Sequence, residues 1–333
     1  MSDTRRPTPD RIMQIITGGW ATAILGAAAQ HGVFEALDPD GNDVAGVVQQ
    51  TGISARGAVA LLDGLTGLGL LVHSGERYHN TPEASMFLIR QRPAYLGAMG
   101  QVMTHALTDW ARLPEVAGSG VPVAENTSDV PDNAFWHMLV TAIAAMSLPV
   151  AKMAAERLGL KQAGAARWLD VGGGSGVWSA AWLSENRAAR AVQLDWPQVN
   201  AIARDYVGKF GVADRFQTID ADLHEADLGA AEYDYGIYGH IAHQETPVSN
   251  IAMFKKFRRA IKPGGTLLVN DFVLDDDRSG NPFAMMFAAQ MLLVTQGGCT
   301  WRRCDYRAWL SDAGFSSVEF VPTPSPSTLM LAR

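Results

Sequence analysis

The run Leu169-Asp170-Val171-Gly172-Gly173-Gly174-Ser175-Gly176 constrains the fold of this 333-residue chain more than any other stretch. An apolar, β-rich lead-in from Arg167 delivers the chain into it, and a helical pattern leaves it. Glycines at alternate positions allow a sharp exit from a strand and a close backbone approach to a ligand, with free amides at the start of the next helix. That is the local form of a nucleotide-cofactor loop. A dinucleotide fingerprint that starts at Gly172 requires a small residue at its sixth position. Val177 stands there, and its β-branched side chain hinders close helix-to-strand packing over a diphosphate.

A second carboxylate follows at the expected distance. Ala191 to Leu194 reads as a short buried strand with Asp195 at its carboxyl end. An acidic side chain there, about 20 positions after the glycines, accepts the hydroxyls of a ribose. Downstream, the runs Phe216 to Ile219, Tyr235 to Tyr238 and Thr266 to Asn270 are short and β-rich. Amphipathic stretches separate them, such as Asn250 to Ile261 with Phe254, Phe257 and Ile261 on one face. The alternation predicts an α/β fold with a doubly wound parallel sheet, closed by Val318 to Val321 and Thr328 to Ala332. The turn Lys262-Pro263-Gly264-Gly265 ends the last helix before its strand. Ligands of such a sheet sit at the carboxyl ends of its strands, where Asp170, Asp195, Asp222, His243 and Asp271 all fall.

The front of the chain has a different pattern. Val44, Val47 and Val48 predict a short helix. Ser54 reads as the N-cap of a second one carrying Leu61, Leu62, Leu65 and Leu68, ended at Gly69. Leu71-Val72-His73 and Arg77-Tyr78-His79 flank Ser74-Gly75-Glu76 as a hairpin, so the module reads as a winged helix. Its second helix, Ala55 to Leu68, carries one cation, Arg56, whereas a groove-reading helix needs several cations and amides. With 34 carboxylates against 27 Lys and Arg, the charge balance also argues against a nucleic-acid partner. Ile12 to Leu37 is nearly uncharged and apolar round most of its turn, broken by Gly18-Gly19 and Gly26. Such helices must be buried, and a homodimer interface is expected there in preference to packing on the second domain of the same chain.

Three regions are expected: a winged-helix dimerisation domain over 1–100, linking and substrate-side helices over 101–160, and a cofactor-binding domain over 161–333. The polar, Pro-containing stretch Gly118 to Asp132 reads as a loop between the linking helices. Met1 to Asp10 lacks an apolar core of the signal-peptide kind, so cytoplasmic residence is expected. Met138 to Ala151, interrupted by Pro149, and Phe283 to Thr295 are shorter than the ~20 residues of a membrane span, and no membrane partner is expected. Cys299 and Cys304 are too few for a disulfide framework and wrongly spaced for zinc. His240 and His243, with Glu245 nearby, lack the H-E-x-x-H spacing, so no metal is expected.

Taken together, D-V-G-G-G-S-G at 170–176, L-D-W-P-Q-V at 194–199, R-A-I-K-P-G-G-T-L-L-V-N-D at 259–271 and the winged-helix front half resemble the plant-type small-molecule O-methyltransferases. The ending Y-R-A-W-L-S-D-A-G-F at 306–315 resembles their bacterial branch. The resemblance implies S-adenosyl-L-methionine as cofactor, S-adenosyl-L-homocysteine as product, and a small-molecule acceptor. It implies cofactor contacts from Asp170, Gly172, Gly174, Gly176 and Asp195. The step Ala221-Asp222-Leu223 resembles the family's G-D-Φ step beside the adenine, with Ala in place of Gly. His243 matches the histidine that acts as general base on the acceptor hydroxyl, and Asp271 the acidic residue that orients it. Three positions depart from the pattern: Gln244 replaces the Asp after the histidine, Thr300 a second acidic residue after a Gly-Gly step, and Gly239 a lysine near the adenine. These departures keep open C-, N- or S-methylation, or a non-methylating reaction, on the same fold. A DNA-binding regulator that senses the cofactor is a further alternative, opposed by the sparse cations of Ala55 to Leu68. Phe135, Trp136, Met138, Met146, Phe283, Met286, Phe287 and Met291 are candidate lining for an adaptable apolar pocket, suited to an aromatic or polyketide-like acceptor, or else ordinary core.

Overall fold

The structure, a computed structural model, describes residues 7–123 and 134–333, with side chains described from Met138 in the second stretch. The chain divides into two compact units between Thr108 and Asp109. This boundary falls within the segment 101–160.

The first unit contains α1 (Asp10–Ile16), α2 (Gly18–His31), α3 (Val33–Ala36), α4 (Val44–Thr51), α5 (Ala55–Gly67), β1 (Leu71–Ser74), β2 (Arg77–Asn80), α6 (Pro82–Phe87) and most of α7 (Gly97–Trp110). Side-chain caps start α4 and α5: Asp43 accepts from the Gly46 amide at 2.7 Å, and Ser54 Oγ from the Gly57 amide at 3.0 Å. β1 and β2 pair antiparallel as the expected hairpin. Ala58, Leu62 and Leu65 of α5 are buried with Val33, Phe34, Leu37, Val47, Leu71 and Tyr78, a core contiguous through the winged helix. Gly26 does not break its helix, contrary to the sequence expectation. A Cβ there would meet the Gly100 carbonyl oxygen at 2.8 Å, so the glycine serves the close crossing of α2 and α7. The break lies at Thr17, where α1 and α2 bend by 45°. α1 buries no residue, and Ile12, Met13, Ile15, Ile16 and Trp20 are between 51% and 71% exposed.

The second unit contains α8 (Leu113–Ser119), α9 (Ala134–Arg157), β3 (Arg167–Val171), α10 (Val177–Glu185), β4 (Arg190–Asp195), α11 (Pro197–Gly208), β5 (Phe216–Asp220), β6 (Tyr233–Gly239), α12 (Pro247–Ala260), β7 (Ile261–Asp271), α13 (Pro282–Val294), α14 (Arg303–Asp312), β8 (Val318–Pro322) and β9 (Thr328–Ala332). The sheet order is β5-β4-β3-β6-β7-β9-β8. β5, β4, β3, β6 and β7 are parallel, and β9 runs antiparallel to both of its neighbours. The order reverses between β3 and β6, which opens a crevice over the carboxyl ends of these strands.

Alternating strand residues divide between the two faces. Trp168 joins one core with Ala154, Leu160, Trp182 and Ile237. Leu169 joins the other with Phe254, Phe257, Tyr306 and Trp309. Two local features differ from the sequence expectation. α9 passes through Pro149 to Arg157, and Met138–Arg157 is long and apolar enough to cross a membrane, as is the bent α1–α2 pair. Of that α9 stretch 44% is buried in the protein, and Ala151 accepts a hydrogen bond from Trp182 Nε1 at 3.0 Å, which ties it to α10. The Lys262-Pro263-Gly264-Gly265 turn lies inside β7. Ile261 pairs with Tyr233 and Thr266 with Tyr235, so these four residues bulge out of register.

Candidate active site

β3 ends at Val171 and the chain turns through the glycines into α10. Gly174 and Gly176 have φ of 58° and 73°, a region that excludes most side chains. Gly172 has φ of 66°. Gly176 is the N-cap of α10, and no side chain caps that helix start. Asp195, at the end of the adjacent β4, reaches the turn: Oδ2 accepts from the Gly174 amide at 2.9 Å and Oδ1 from the Trp196 amide at 2.8 Å. Burial raises its pKa to about 6, although both amides favour the charged form. Each oxygen retains a lone pair for a further donor.

Asp170 lies beneath the turn, 1% exposed. Ser179 Oγ donates to its Oδ2 at 3.2 Å, while Oδ1 has no partner among the described residues. Burial, aided by the charge of Asp195, raises its pKa to about 7. Gln193 completes this layer. Its Nε2 donates to the Gly174 carbonyl and to Asn200 Oδ1, each at 3.1 Å, and its Oε1 is buried without a partner among the described residues. A Cβ on Gly173 would come within 2.5 Å of Gln193 Oε1 and 2.8 Å of Asp170 Cγ, so the unpaired acceptors border the turn itself. Buried acceptors beneath a side-chain-free turn suit a ligand rich in donors, such as an amino acid ammonium and ribose hydroxyls. By this test the residues fit a sulfonium nucleoside. The signal for Gln193 in the sequence is a lone amide inside an apolar strand.

Beyond β5, Asp222 is exposed, and its Oδ1 accepts from the His224 amide at 2.7 Å. Leu223 is half-buried and packs on the core beneath. Lys256 Nζ on α12 donates to the carbonyls of Leu223, His224 and Ala226 at 3.2, 2.6 and 3.0 Å, which fixes this loop.

Beyond the carboxyl ends of β6 and β7, His243 and Asp271 meet. His243 Nδ1 lies 2.6 Å from Asp271 Oδ1, with the histidine 5% and the aspartate 0% exposed. A carboxylate only accepts, so Nδ1 carries the proton and Nε2 is left as the basic nitrogen. Asp271 also accepts from the His243 amide at 2.9 Å, the Phe272 amide at 2.7 Å and the Tyr306 hydroxyl at 3.1 Å. Burial pushes its pKa up, but the His243 charge and hydrogen bond, with further help from His240 and the Phe272 amide, outweigh it and leave the pKa below the ordinary value.

His240, Asp271 and His243 present ligand-type atoms within 4.8 Å of one another. Their hydrogen bonds describe the cluster: His240 Nε2 pairs with Asn270 Nδ2 at 2.8 Å, and Asp271 is saturated as above. Burial lowers the His240 pKa to about 4. Gln244 Nε2 donates to the His240 carbonyl at 3.1 Å, and Thr300 Oγ1 is buried without a partner among the described residues.

Aromatic rings flank His243. Phe272 stacks at 5.9 Å and 27°, and Phe287 stands edge-on at 5.0 Å. Phe283 lies 4.7 Å from Phe272 and 5.8 Å from Phe287. Phe272, one residue past Asp271, had no sequence signal of its own. Of the other pocket candidates, Met291 is buried, Met146 half-buried, Met138 41% exposed and Met286 66% exposed. The side chains of Phe135 and Trp136 lie outside the described residues. Cys299 and Cys304 are free thiols.

Residues 128–316 match the O-methyltransferase domain, and residues 13–90 the O-methyltransferase dimerisation domain. The chain belongs to the O-methyltransferase family. It is 31% identical to the 3-hydroxy-5-methyl-1-naphthoate 3-O-methyltransferase of Streptomyces sahachiroi, over 96% of this chain and 92% of that protein. Identity to the tetracenomycin polyketide synthesis 8-O-methyltransferase of Streptomyces glaucescens is 29%, over 98% and 96%. Among solved structures, human N-acetylserotonin methyltransferase in complex with S-adenosylmethionine superposes with a TM-score of 0.86 at 24% identity, covering 100% of this chain and 99% of that one. The O-methyltransferase is thus a S-adenosylmethionine-dependent enzyme of the Rossmann-like fold, in a family of secondary metabolism.

Proposed function

We propose that this O-methyltransferase methylates a hydroxyl of a small, largely apolar aromatic or polyketide-like acceptor, with His243 as general base. The observation that carries the reading is the His243–Asp271 pair, held at 2.6 Å beside three phenylalanine rings at the carboxyl edge of the sheet. Bound cofactor supplies a methyl group already activated by its sulfonium. The chain's own residues then have two tasks, alignment and removal of a proton. His243 Nε2 takes the acceptor's hydroxyl proton, while Asp271 holds the Nδ1–H tautomer and stabilises the imidazolium. Phe272, Phe283 and Phe287 offer flat apolar walls to a planar ring, and α13 from Pro282 to Val294 carries no charged residue. The relatives from Streptomyces, named for a naphthoate and a polyketide, support that acceptor class.

For the cofactor, we assign Asp195 to the ribose hydroxyls and Asp170 with Gly172, Gly174 and Gly176 to the amino acid end. Asp222 and Leu223 flank the adenine. The exposed apolar side chains of α1 and α2, within the region matching the dimerisation domain, support a homodimer.

The test is a screen of phenolic acceptors with labelled S-adenosylmethionine, repeated with His243→Gln. The variant is expected to keep S-adenosylhomocysteine affinity while kcat falls by roughly 10²–10⁴, the range for a positioned base. Full turnover by the variant on the best acceptor would remove His243 from the chemistry.

A further inference from the structure

We infer that Tyr306 is a positioning residue that sets the basicity of His243 through Asp271, an inference resting on the reading of His243 as the base. Among the described residues Asp271 has four donors, and three of them come from the pair itself and the next amide: His243 Nδ1, the His243 amide and the Phe272 amide. The fourth, the Tyr306 hydroxyl at 3.1 Å from Oδ2, arrives from α14, 35 residues further along the chain. Tyr306 is 0% exposed, and its ring packs edge-on against Trp309 at 5.5 Å, so the hydroxyl is held in place. Burial, with the charge of Asp271, pushes its ionisation far above the ordinary range, so it remains a donor throughout the working pH.

A donor shared onto a carboxylate draws off negative charge. With Tyr306 in place, Asp271 attracts a proton on His243 less strongly than it would with three donors. The other titratable groups bearing on this network are His240 and Tyr238 from β6 and the residue after it, Glu245 before α12, and Asp305 beside Tyr306. His240, with its pKa near 4, is neutral at working pH, and Tyr238 stays protonated. Glu245 and Asp305 are left unchanged by a substitution at 306.

The test is Tyr306→Phe in the full-length protein, which removes one oxygen and keeps the ring. It is read by the pH profile of kcat/KM and by NMR titration of the labelled His243 ring. Both are expected to move upward by about half to one pH, with plateau kcat changed by less than about threefold. Site-specific 3-fluorotyrosine at 306, a more acidic phenol and a stronger donor, moves both in the opposite direction. A His243 titration that coincides with wild type in both variants would overturn the role of Tyr306 and reduce it to packing. A shifted titration combined with full turnover by His243→Gln would uphold the link from Tyr306 to His243 and refute the base assignment alone.

Discussion

Asp170→Asn separates the stability of the fold from its use. The wild-type carboxyl is 1% exposed, has one oxygen without a donor among the described residues, and has its pKa raised by burial from 3.8 to about 7. Its folded pKa lies above its unfolded one, so the unfolded state gives up the proton first. The resulting cost to stability is nearly absent below pH 4, grows through pH 4–7, and is fully present above 7. Its upper limit is on the order of 4 kcal/mol at pH 8, falling to well under about 1 kcal/mol at pH 4. Asparagine keeps the shape, can accept from Ser179, and carries no charge to desolvate. The cofactor-free variant is therefore expected to be more stable than wild type by about 2–4 kcal/mol at pH 8 and nearly equal to it at pH 4, in urea unfolding followed by tryptophan fluorescence. The same change removes a charged acceptor from the glycine turn, and S-adenosylhomocysteine should bind about tenfold more weakly. Stability gained and affinity lost by one substitution is the mark of a group retained for binding. A stability difference independent of pH, or an asparagine variant less stable at pH 8, would refute the reasoning.

Asp195→Ala is expected to weaken S-adenosylhomocysteine binding by about 1.5–3 kcal/mol in calorimetry, the worth of hydrogen bonds to a charged group. Wild-type affinity should decline as pH falls through about 6, where Asp195 takes up its proton. Unchanged affinity in a folded variant would take Asp195 out of the site. For assembly, light scattering is expected to give a dimer at micromolar concentration. Ile16→Asp with Trp20→Ala should shift it to monomer without unfolding, because among the described residues α1 buries nothing and Trp20 of α2 is 71% exposed. A monomeric wild type would refute the dimer.

The elements legible in the sequence were those whose signals are local. β3 and β9 have the bounds that their residues imply, and the Ser54 cap and the hairpin after Gly69 follow from turn and capping chemistry within a few positions. The glycine turn was readable for the same reason, because its residue types are dictated by its own φ angles. His243 and Asp271 are 28 residues apart and share no local pattern; ordered motifs along the chain singled them out, and parallel strand register brought them together. What only tertiary structure decided lies in contacts between distant segments. Gly26 belongs to a helix crossing and breaks nothing, and Pro149 sits within a helix held against α10. Gln193 turns under a loop whose glycines lie some twenty residues earlier. The Tyr306 hydroxyl reaches Asp271 only because α14 packs on the face of the sheet that also carries Leu169 and Tyr238. Periodicity tells which face of a helix is buried, but the atom a buried hydroxyl meets is set by the element packed against it.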